Sequence, residues 1–183
     1  MQMICYTDRL ILKVLNQNDA NKVLDFYIRN KDFFEEFEPR TSNFYTLAFQ
    51  KAALSYENSL MIKSKALRYY VFEQCNPDKI IGTVSFSNII RGSFMSCQLG
   101  YKFDQLFLRR GYATEALDQC IYIIFHDYKL HRIEAYIKPS NLPSIHLIEK
   151  FGFQYEGIAY QSIKIRDKWE DHFRYARINN AKN

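Results

Sequence analysis

Apolar positions along the chain change period from one segment to the next, and each change predicts an element. Arg9-Leu10-Ile11-Leu12-Lys13-Val14 is a short apolar run that predicts a first strand. Asn18 or Asp19 can then cap a helix whose apolar stripe is Ala20, Val23, Leu24, Tyr27 and Ile28. Phe33 to Pro39 reads as an irregular aromatic and acidic connection, and Ser42 as the start of a second helix carrying Leu47, Ala48 and Leu54. Leu67 to Phe72 is rich in β-formers, Asn76-Pro77-Asp78-Lys79 is a turn signal, and Ile80 to Ile90 continues as a strand. Arg91 to Phe94 turns the chain back into a further strand, Cys97 to Phe103. Successive strands joined by short turns predict an antiparallel meander.

The second half switches to helical spacing. Ala113, Ala116, Leu117, Cys120, Ile121, Ile124 and Tyr128 recur as one stripe, predicting an amphipathic helix from Gly111 to Tyr128. Ile133, Ala135 and Ile137 alternate with Glu134, Tyr136 and Lys138, a strand. A short helix with Ile145, Ile148 and Phe151 is bracketed by a start signal at Asn141 to Ser144 and a stop at Gly152. Phe153 to Ile165 and Trp169 to Ile178 form a hairpin around Arg166-Asp167-Lys168. Strand, helix, strand, helix and hairpin in this order predict a mixed α/β sheet with a parallel pair at its centre.

Composition narrows the class. A length of 183 residues predicts one domain spanning 1–183. Hydrophobic residues at 48% and aromatics at 16% exclude extensive disorder. The net charge of +5 slightly favours anionic ligands, but no dense basic stripe points to nucleic acid. Met1 to Tyr6 carries neither a basic nor a long apolar segment, and no run is long enough to span a bilayer, so a cytoplasmic protein without membrane contact is expected. Cys5, Cys75, Cys97 and Cys120 lie far apart with no metal-ligand spacing, so free thiols and no metal site are expected.

One stretch carries chemistry: Phe103-Asp104-Gln105-Leu106-Phe107-Leu108-Arg109-Arg110-Gly111-Tyr112-Ala113-Thr114. A strand ends, a short loop follows, and a long helix begins at small residues. The N-terminus of a helix offers unpaired N–H groups and partial positive charge, which suit a phosphate. Gly111 permits close approach, Ala113 leaves the first turn uncrowded, and Arg109 and Arg110 add charge. Taken by itself, the stretch is equally compatible with an ordinary strand-to-helix connection bearing two solvated arginines.

The loop and helix resemble the acetyl-CoA signature of the GNAT acyltransferases, Q/R-x-x-G-x-G/A. Arg110-Gly111-Tyr112-Ala113-Thr114-Glu115-Ala116 is similar to the version in the RimJ/RimL branch, the ribosomal-protein-alanine N-acetyltransferases, and most similar to RimJ. Flanking pieces occur in family order: Thr7 to Leu12, Phe86 to Phe94 with Leu99-Gly100-Tyr101, His131 to Ala135, Asn141 to Ser144, Glu149 to Phe153 and Glu156-Gly157. The resemblance implies an α/β fold of about seven strands, mostly antiparallel, with a splayed central parallel pair and flanking helices. It also implies that acetyl-CoA lies in that opening, along Tyr101, Lys102 and Phe103, with its pyrophosphate on Leu108 to Thr114. By the same resemblance Asn141 anchors the cofactor end of the site and Ser144 stabilises or protonates the leaving thiolate. Tyr136, Leu147 and Lys150 are weaker candidates on the cofactor side. The motif's first position departs from the pattern, holding Leu108 where Gln or Arg is usual.

The familiar general bases do not transfer. Gln98 stands where many relatives carry a Glu, and Ile163 where RimL-type members carry another. Glu35, Glu36, Glu38, Asp171 and His172 are alternatives near the acceptor side, and Gln98, Glu35 and Tyr160 are assigned to the acceptor. An α-amine near pKa ~8 is about one-tenth neutral at pH 7, against a few parts in ~10⁴ for lysine, so a site without a carboxylate base suits a protein N-terminus. The expectation is therefore an acetyl-CoA-dependent N-acetyltransferase, monomeric or homodimeric, acting on the N-terminal α-amine (Ala or Ser) of a protein such as a ribosomal protein. A small-molecule amine acetyltransferase and a non-catalytic acyl-CoA-binding module are the alternatives.

Overall fold

The structure, a computed structural model, describes residues 2–180. Eight strands form one sheet: β1 (Ile4–Tyr6), β2 (Leu10–Lys13), β3 (Leu67–Glu73), β4 (Asn76–Ile90), β5 (Ser96–Phe103), β6 (Arg132–Ile137), β7 (Gln154–Ile165) and β8 (Lys168–Ile178). Their order is β1-β2-β3-β4-β5-β6-β8-β7, and only β5 and β6 run parallel. The helices are α1 (Ala20–Arg29), α2 (Lys31–Glu35), α3 (Leu47–Ile62), α4 (Tyr112–His126) and α5 (Leu142–Lys150).

Alternation within the strands builds two cores. Leu10, Leu12, Tyr69, Val71, Val84, Cys97, Leu99, Ile133 and Ala135 pack with Ala116, Leu117, Cys120, Ile124, Ile145 and Ile148, so α4 and α5 cover one face. Ile11, Tyr70, Phe72 and Ile80 point the other way, against Val23, Phe26, Tyr27, Phe34, Phe44 and Leu54 of the α1–α3 layer. Each large apolar side chain so buried contributes roughly 1.5–3 kcal/mol against exposure. The predicted α4 stripe is inside from Ala116 to Tyr128, with Ala113 packed at its edge.

The parallel pair is short. Ser96, Cys97 and Gln98 pair with Arg132, Ile133 and Glu134, and there the pairing ends. β5 continues to Phe103 and β6 to Ile137 without each other. The two strands therefore part beyond Gln98 and Glu134, leaving the β6-facing edge of Leu99 to Phe103 open. β5 stays anchored on its other side, where Gly100, Tyr101, Lys102 and Phe103 pair with Ser85, Val84, Thr83 and Gly82 of β4.

Several local expectations are corrected. Among the described residues the sheet has eight strands, in keeping with the expected count of about seven, and the N-terminal segment contributes two, β1 preceding the anticipated one. In α1 the inward positions are Ala20, Val23, Phe26 and Tyr27, whereas Ile28 is exposed. The Phe33 to Pro39 segment begins as helix α2, because Phe34 is buried and its N–H bonds the Asn30 carbonyl at 2.9 Å. Ser42 opens only a 3₁₀ turn that buries Phe44; the α3 cap is Thr46, whose hydroxyl accepts from the Phe49 N–H at 3.2 Å. Asn76 is already strand, paired with Glu73, so the turn is Gln74-Cys75, and Pro77 sits at an exposed strand start. Cys5, Cys97 and Cys120 are buried and Cys75 is exposed, all four as free thiols.

Candidate functional site

Three features converge at the carboxyl end of β5. The first is the loop into α4. Buried Asp104 ends β5: its carboxylate accepts from the Leu106 N–H at 2.9 Å and from Arg29 Nε at 2.7 Å. Burial alone would raise this carboxyl group, but bonds from Arg29, Leu106 and Asn30 outweigh it and hold it below the usual carboxylate range. Beyond a 3₁₀ turn (Gln105–Phe107), Arg109 at φ 60° and Gly111 at φ 81° both adopt the left-handed conformation. Gly111 is the N-cap of α4 and has no side chain to cap it. α3 and α5 are capped by Thr46 and Asn141, whereas α4, like α1 and α2, has no side-chain cap bond, so its first N–H groups lack that partner.

The chain's own N-terminal segment braces this loop. The Arg9 side chain donates to the Arg110 carbonyl at 3.0 Å and to Glu115 Oε2 at 2.7 Å, and stacks over the Tyr112 ring at 4.6 Å. The Arg9 N–H and the Thr7 hydroxyl both reach Glu115 Oε1, at 2.8 and 2.6 Å. Burial would raise the Glu115 carboxyl group; the bonds from Thr7 and Arg9 lower it instead. Tyr112 is fastened by its hydroxyl to Glu73 at 2.5 Å, and the Arg110 guanidinium lies over the Phe107 ring at 5.1 Å. Arg109, Arg110 and Leu108 are exposed around the open N–H groups.

The second feature is the opening between β5 and β6, with Asn141 and Ser144 beside it. The Asn141 side chain caps α5 by accepting from the Ser144 N–H at 3.2 Å, and the Tyr101 hydroxyl donates to the Ser144 carbonyl at 3.1 Å. This bond ties α5 to β5 across the opening. Burial pushes the Tyr101 phenol up to about 12, partly offset by that bond, so it stays a neutral donor at physiological pH. Leu147 packs against the same core, while Lys150 is exposed.

The third is a hollow of about 200 Å³ on the α1–α3 face, lined by Glu38, Arg40, Arg68, Thr83, Ser85, Gly100, Tyr101 and Lys102. Glu38 ion-pairs with both Lys102 and Arg40, and Arg68 sits 3.3 Å from Glu57. Burial pulls the Arg40 guanidinium below its ordinary range, with Arg68 adding to the effect. Burial acts the same way on Arg68, but Tyr27, Glu57 and Tyr70 more than compensate and raise it. A smaller hollow, about 130 Å³ beside Met95 and His131, lies at the opposite end of β5.

The predicted residues thus divide. Leu108 to Thr114, the β5 edge at Tyr101 and Phe103, Asn141, Ser144 and Leu147 gather on the α4–α5 side and along the opening. Lys102, assigned to the cofactor, contributes only backbone there, since its side chain points into the opposite hollow. Phe103 is likewise a core side chain; a Cβ on Gly82 would lie 2.4 Å from its ring. Gln98 faces the same side as the hollow, its amide oxygen 2.7 Å from Asn88 Nδ2. Glu35 is occupied by the Tyr45 hydroxyl at 2.7 Å and does not line the hollow; Glu38, one turn on, does. Tyr160 is 74% exposed on the β7–β8 hairpin, outside this cluster. Asp171 accepts from the Gln161 N–H and His172 is buried, so neither faces the hollow. The brace of Arg9 on Glu115 was invisible as a site, although both residues belong to motifs noted above. Among the described residues no cluster of ligating side chains could hold a metal ion, and no helix is long and apolar enough to cross a membrane.

Comparison with known proteins agrees with this fold. The acetyltransferase (GNAT) domain family matches residues 9–154. The [ribosomal protein uS5]-alanine N-acetyltransferase of Escherichia coli (strain K12) is 35% identical over 170 residues, which is 91% of this chain and 86% of that protein. The crystal structure of ribosomal-protein-S5-alanine acetyltransferase from Vibrio fischeri superposes with a TM-score of 0.92 at 29% identity, covering 98% of each chain. Mycobacterium smegmatis RimJ, solved in complex with CoA-disulfide, shares the fold with a TM-score of 0.85 at 22% identity, over 92% of this chain and 81% of that one. The chain belongs to the GNAT acetyltransferase domain family and is an acetyltransferase related to the ribosomal-protein-alanine N-acetyltransferases.

Proposed function

We propose that this chain, as a single catalytic domain over residues 1–183, transfers the acetyl group of acetyl-CoA to the N-terminal α-amine of a protein, an Ala or Ser terminus such as that of a ribosomal protein. One observation supports this most: the uncapped N-terminus of α4 stands at the top of the β5/β6 opening, and the polar hollow lies across the sheet from it. A cosubstrate with a phosphate end and an amide-bearing arm fits the first two features. The N–H groups of Tyr112, Ala113 and Thr114, with Arg109 and Arg110, would hold the pyrophosphate. The unpaired edge of Leu99 to Phe103 would hydrogen-bond the arm as an added strand does. The thioester would then lie near the point where the strands part, at Gln98 and Glu134.

The acceptor would enter from the hollow. Glu38 and the Thr83 and Ser85 hydroxyls offer acceptors to an ammonium, and Arg40 and Arg68 offer donors to the carbonyl oxygens of a peptide. Asn141 orients α5 and Ser144 stands near the leaving sulfur, supplying a hydroxyl to the developing thiolate. Thiol release from acetyl-CoA, measured across N-terminal peptides, lysine peptides and small amines, tests the reading. Release with Ala- or Ser-initiated peptides is expected. Activity confined to free small amines would replace the acceptor class, and tight acetyl-CoA binding without release on any amine would make the chain a binding module. A cytoplasmic location goes with this reading, since ribosomal proteins are the acceptors in view.

A further inference from the structure

The carboxylate missing at Gln98 is present one strand away. Gln98 and Glu134 are register partners in the parallel ladder, the last pair before the strands separate. Their neighbours Cys97, Leu99, Ile133 and Ala135 point into the α4–α5 core, so Gln98 and Glu134 both point to the opposite face, the face of the hollow. Adjacent strands lie about 4.8 Å apart, and Gly100 of the hollow is two residues along β5 from Gln98, about 7 Å. Glu134 therefore stands beside the position of the familiar base, at the level where the thioester would sit.

Its surroundings fix its direction. Arg132 Nε donates to Glu134 Oε1 at 2.7 Å, and the Tyr136 hydroxyl donates to Oε2 at 3.1 Å. Arg132 spends its remaining donors on Glu156, which also lies 3.3 Å from Arg174 Nε. The charged and titratable groups around Glu134 are thus Arg132 and Tyr136 on β6, Cys97 on β5, Glu156 on β7 and Arg174 on β8. Two arginines balance two glutamates. Arg132 bridges both glutamates, holding Glu134 through Oε1, while Oε2 of Glu134 takes the Tyr136 hydroxyl.

We propose that Glu134 accepts the proton of the acceptor ammonium, in place of a carboxylate at position 98. The inference rests on the acetyl-transfer reading above. In the step, R–NH₃⁺ gives one proton to Glu134, directly or through one water, and the freed nitrogen lone pair forms the C–N bond at the thioester carbonyl. The C–S bond then breaks, its electron pair goes to sulfur, and the second nitrogen proton passes to that thiolate. The products are the amide and the CoA thiol, and Glu134 returns its proton to solvent. An α-ammonium near ~8 yields its proton to any carboxylate about 10²-fold more readily than a lysine ammonium near ~10.4, so this base favours the same acceptor class.

The test is Glu134→Gln, Glu134→Asp, and Glu134→Gln combined with Gln98→Glu, each assayed by thiol release with an Ala-initiated peptide at one fixed pH. Positioned bases contribute roughly 10²–10⁴-fold. Glu134→Gln is expected to lower kcat about 10²-fold with the acetyl-CoA KM within twofold. Adding Gln98→Glu is expected to restore at least tenfold of that loss, which a purely structural role for Glu134 would not allow. Glu134→Asp keeps a carboxylate and should have a kcat between those of the wild type and Glu134→Gln. Wild-type kcat in Glu134→Gln, or a reduced kcat with no rescue by Gln98→Glu, overturns the assignment. If Glu134→Gln does not fold, wild-type kcat in Glu134→Asp overturns it equally. No thiol release by the wild-type chain on any amine overturns the acetyl-transfer reading, and this inference with it.

Discussion

Arg9 and Glu115 close a two-point clamp between the turn joining β1 to β2 and the first turn of α4: Nε to Oε2 at 2.7 Å and backbone N–H to Oε1 at 2.8 Å. Because the same guanidinium holds the Arg110 carbonyl at 3.0 Å, the clamp sets the shape of the proposed pyrophosphate loop. Glu115→Gln is therefore expected to destabilise the fold by about 1–3 kcal/mol, the cost of weakening bonds to a charged group. It should also raise the acetyl-CoA KM severalfold. The sign with pH follows from the lowered Glu115 carboxyl. Its contribution is fully present above the unfolded value near ~4.3 and is lost as pH falls through the lower folded value. Urea unfolding of both proteins should show the difference at pH 7 and its disappearance toward pH 3.

Gly111→Ala is expected to be damaging for two local reasons. The residue has φ 81°, which costs an L-residue roughly 1–2 kcal/mol, and its new Cβ would lie 3.3 Å from Arg9 Nη2. Thermal unfolding should report the loss, and acetyl-CoA titration should show weakened binding beyond it. Gly152→Ala, also at positive φ but with nothing within 4 Å of its Cβ, should pay the backbone cost alone and leave the KM unchanged.

Arg109→Ala with Arg110→Ala should raise the acetyl-CoA KM by about tenfold at low ionic strength, and the ratio to wild type should shrink as salt rises, since exposed charges are screened over ~10 Å at 0.1 M. A salt-independent ratio would mean that the side chains act by shaping the loop and not by meeting phosphates.

Lys102→Met separates the two faces of β5. Its backbone lines the opening but its ammonium pairs with Glu38 in the hollow. Steady-state kinetics should show at least a fivefold change in the KM for the peptide acceptor with the acetyl-CoA KM within twofold. Glu38→Gln should show the same partition.

Much of this was legible in the residues. The α4 stripe from Ala116 to Tyr128 has a single period and a single buried face, so its element and orientation follow from spacing, and Asn141 caps α5 as its side chain permits. Where two residues could play one part, tertiary packing decided. Ser42 and Thr46 are both good caps, but Ser42 lies inside a 3₁₀ turn that buries Phe44, and Thr46 caps α3. Ile28 and Phe26 both fit a helical stripe, and the sheet face accepted the ring. The proposed site divided in the same way. The loop from Leu108 to Thr114 is contiguous and could be read directly. The nearness of Glu134 to Gln98 depends on which strands run side by side, and that of Glu38 to Lys102 on how α2 folds over the sheet; neither is written in local spacing. The +5 charge is partly placed, at Arg109 and Arg110 beside the open helix end and at Arg40, Arg68 and Lys102 around the hollow.

The choice between α-amine and lysine is read by locating the acetyl group with mass spectrometry after the purified chain and acetyl-CoA have acted on one peptide carrying both an N-terminal Ala and an internal lysine. Acetylation is expected at the α-amine, at least tenfold faster than at the lysine and dependent on acetyl-CoA. Equal or faster labelling of the lysine, or no labelling of the peptide beside active turnover of a small free amine, would contradict it.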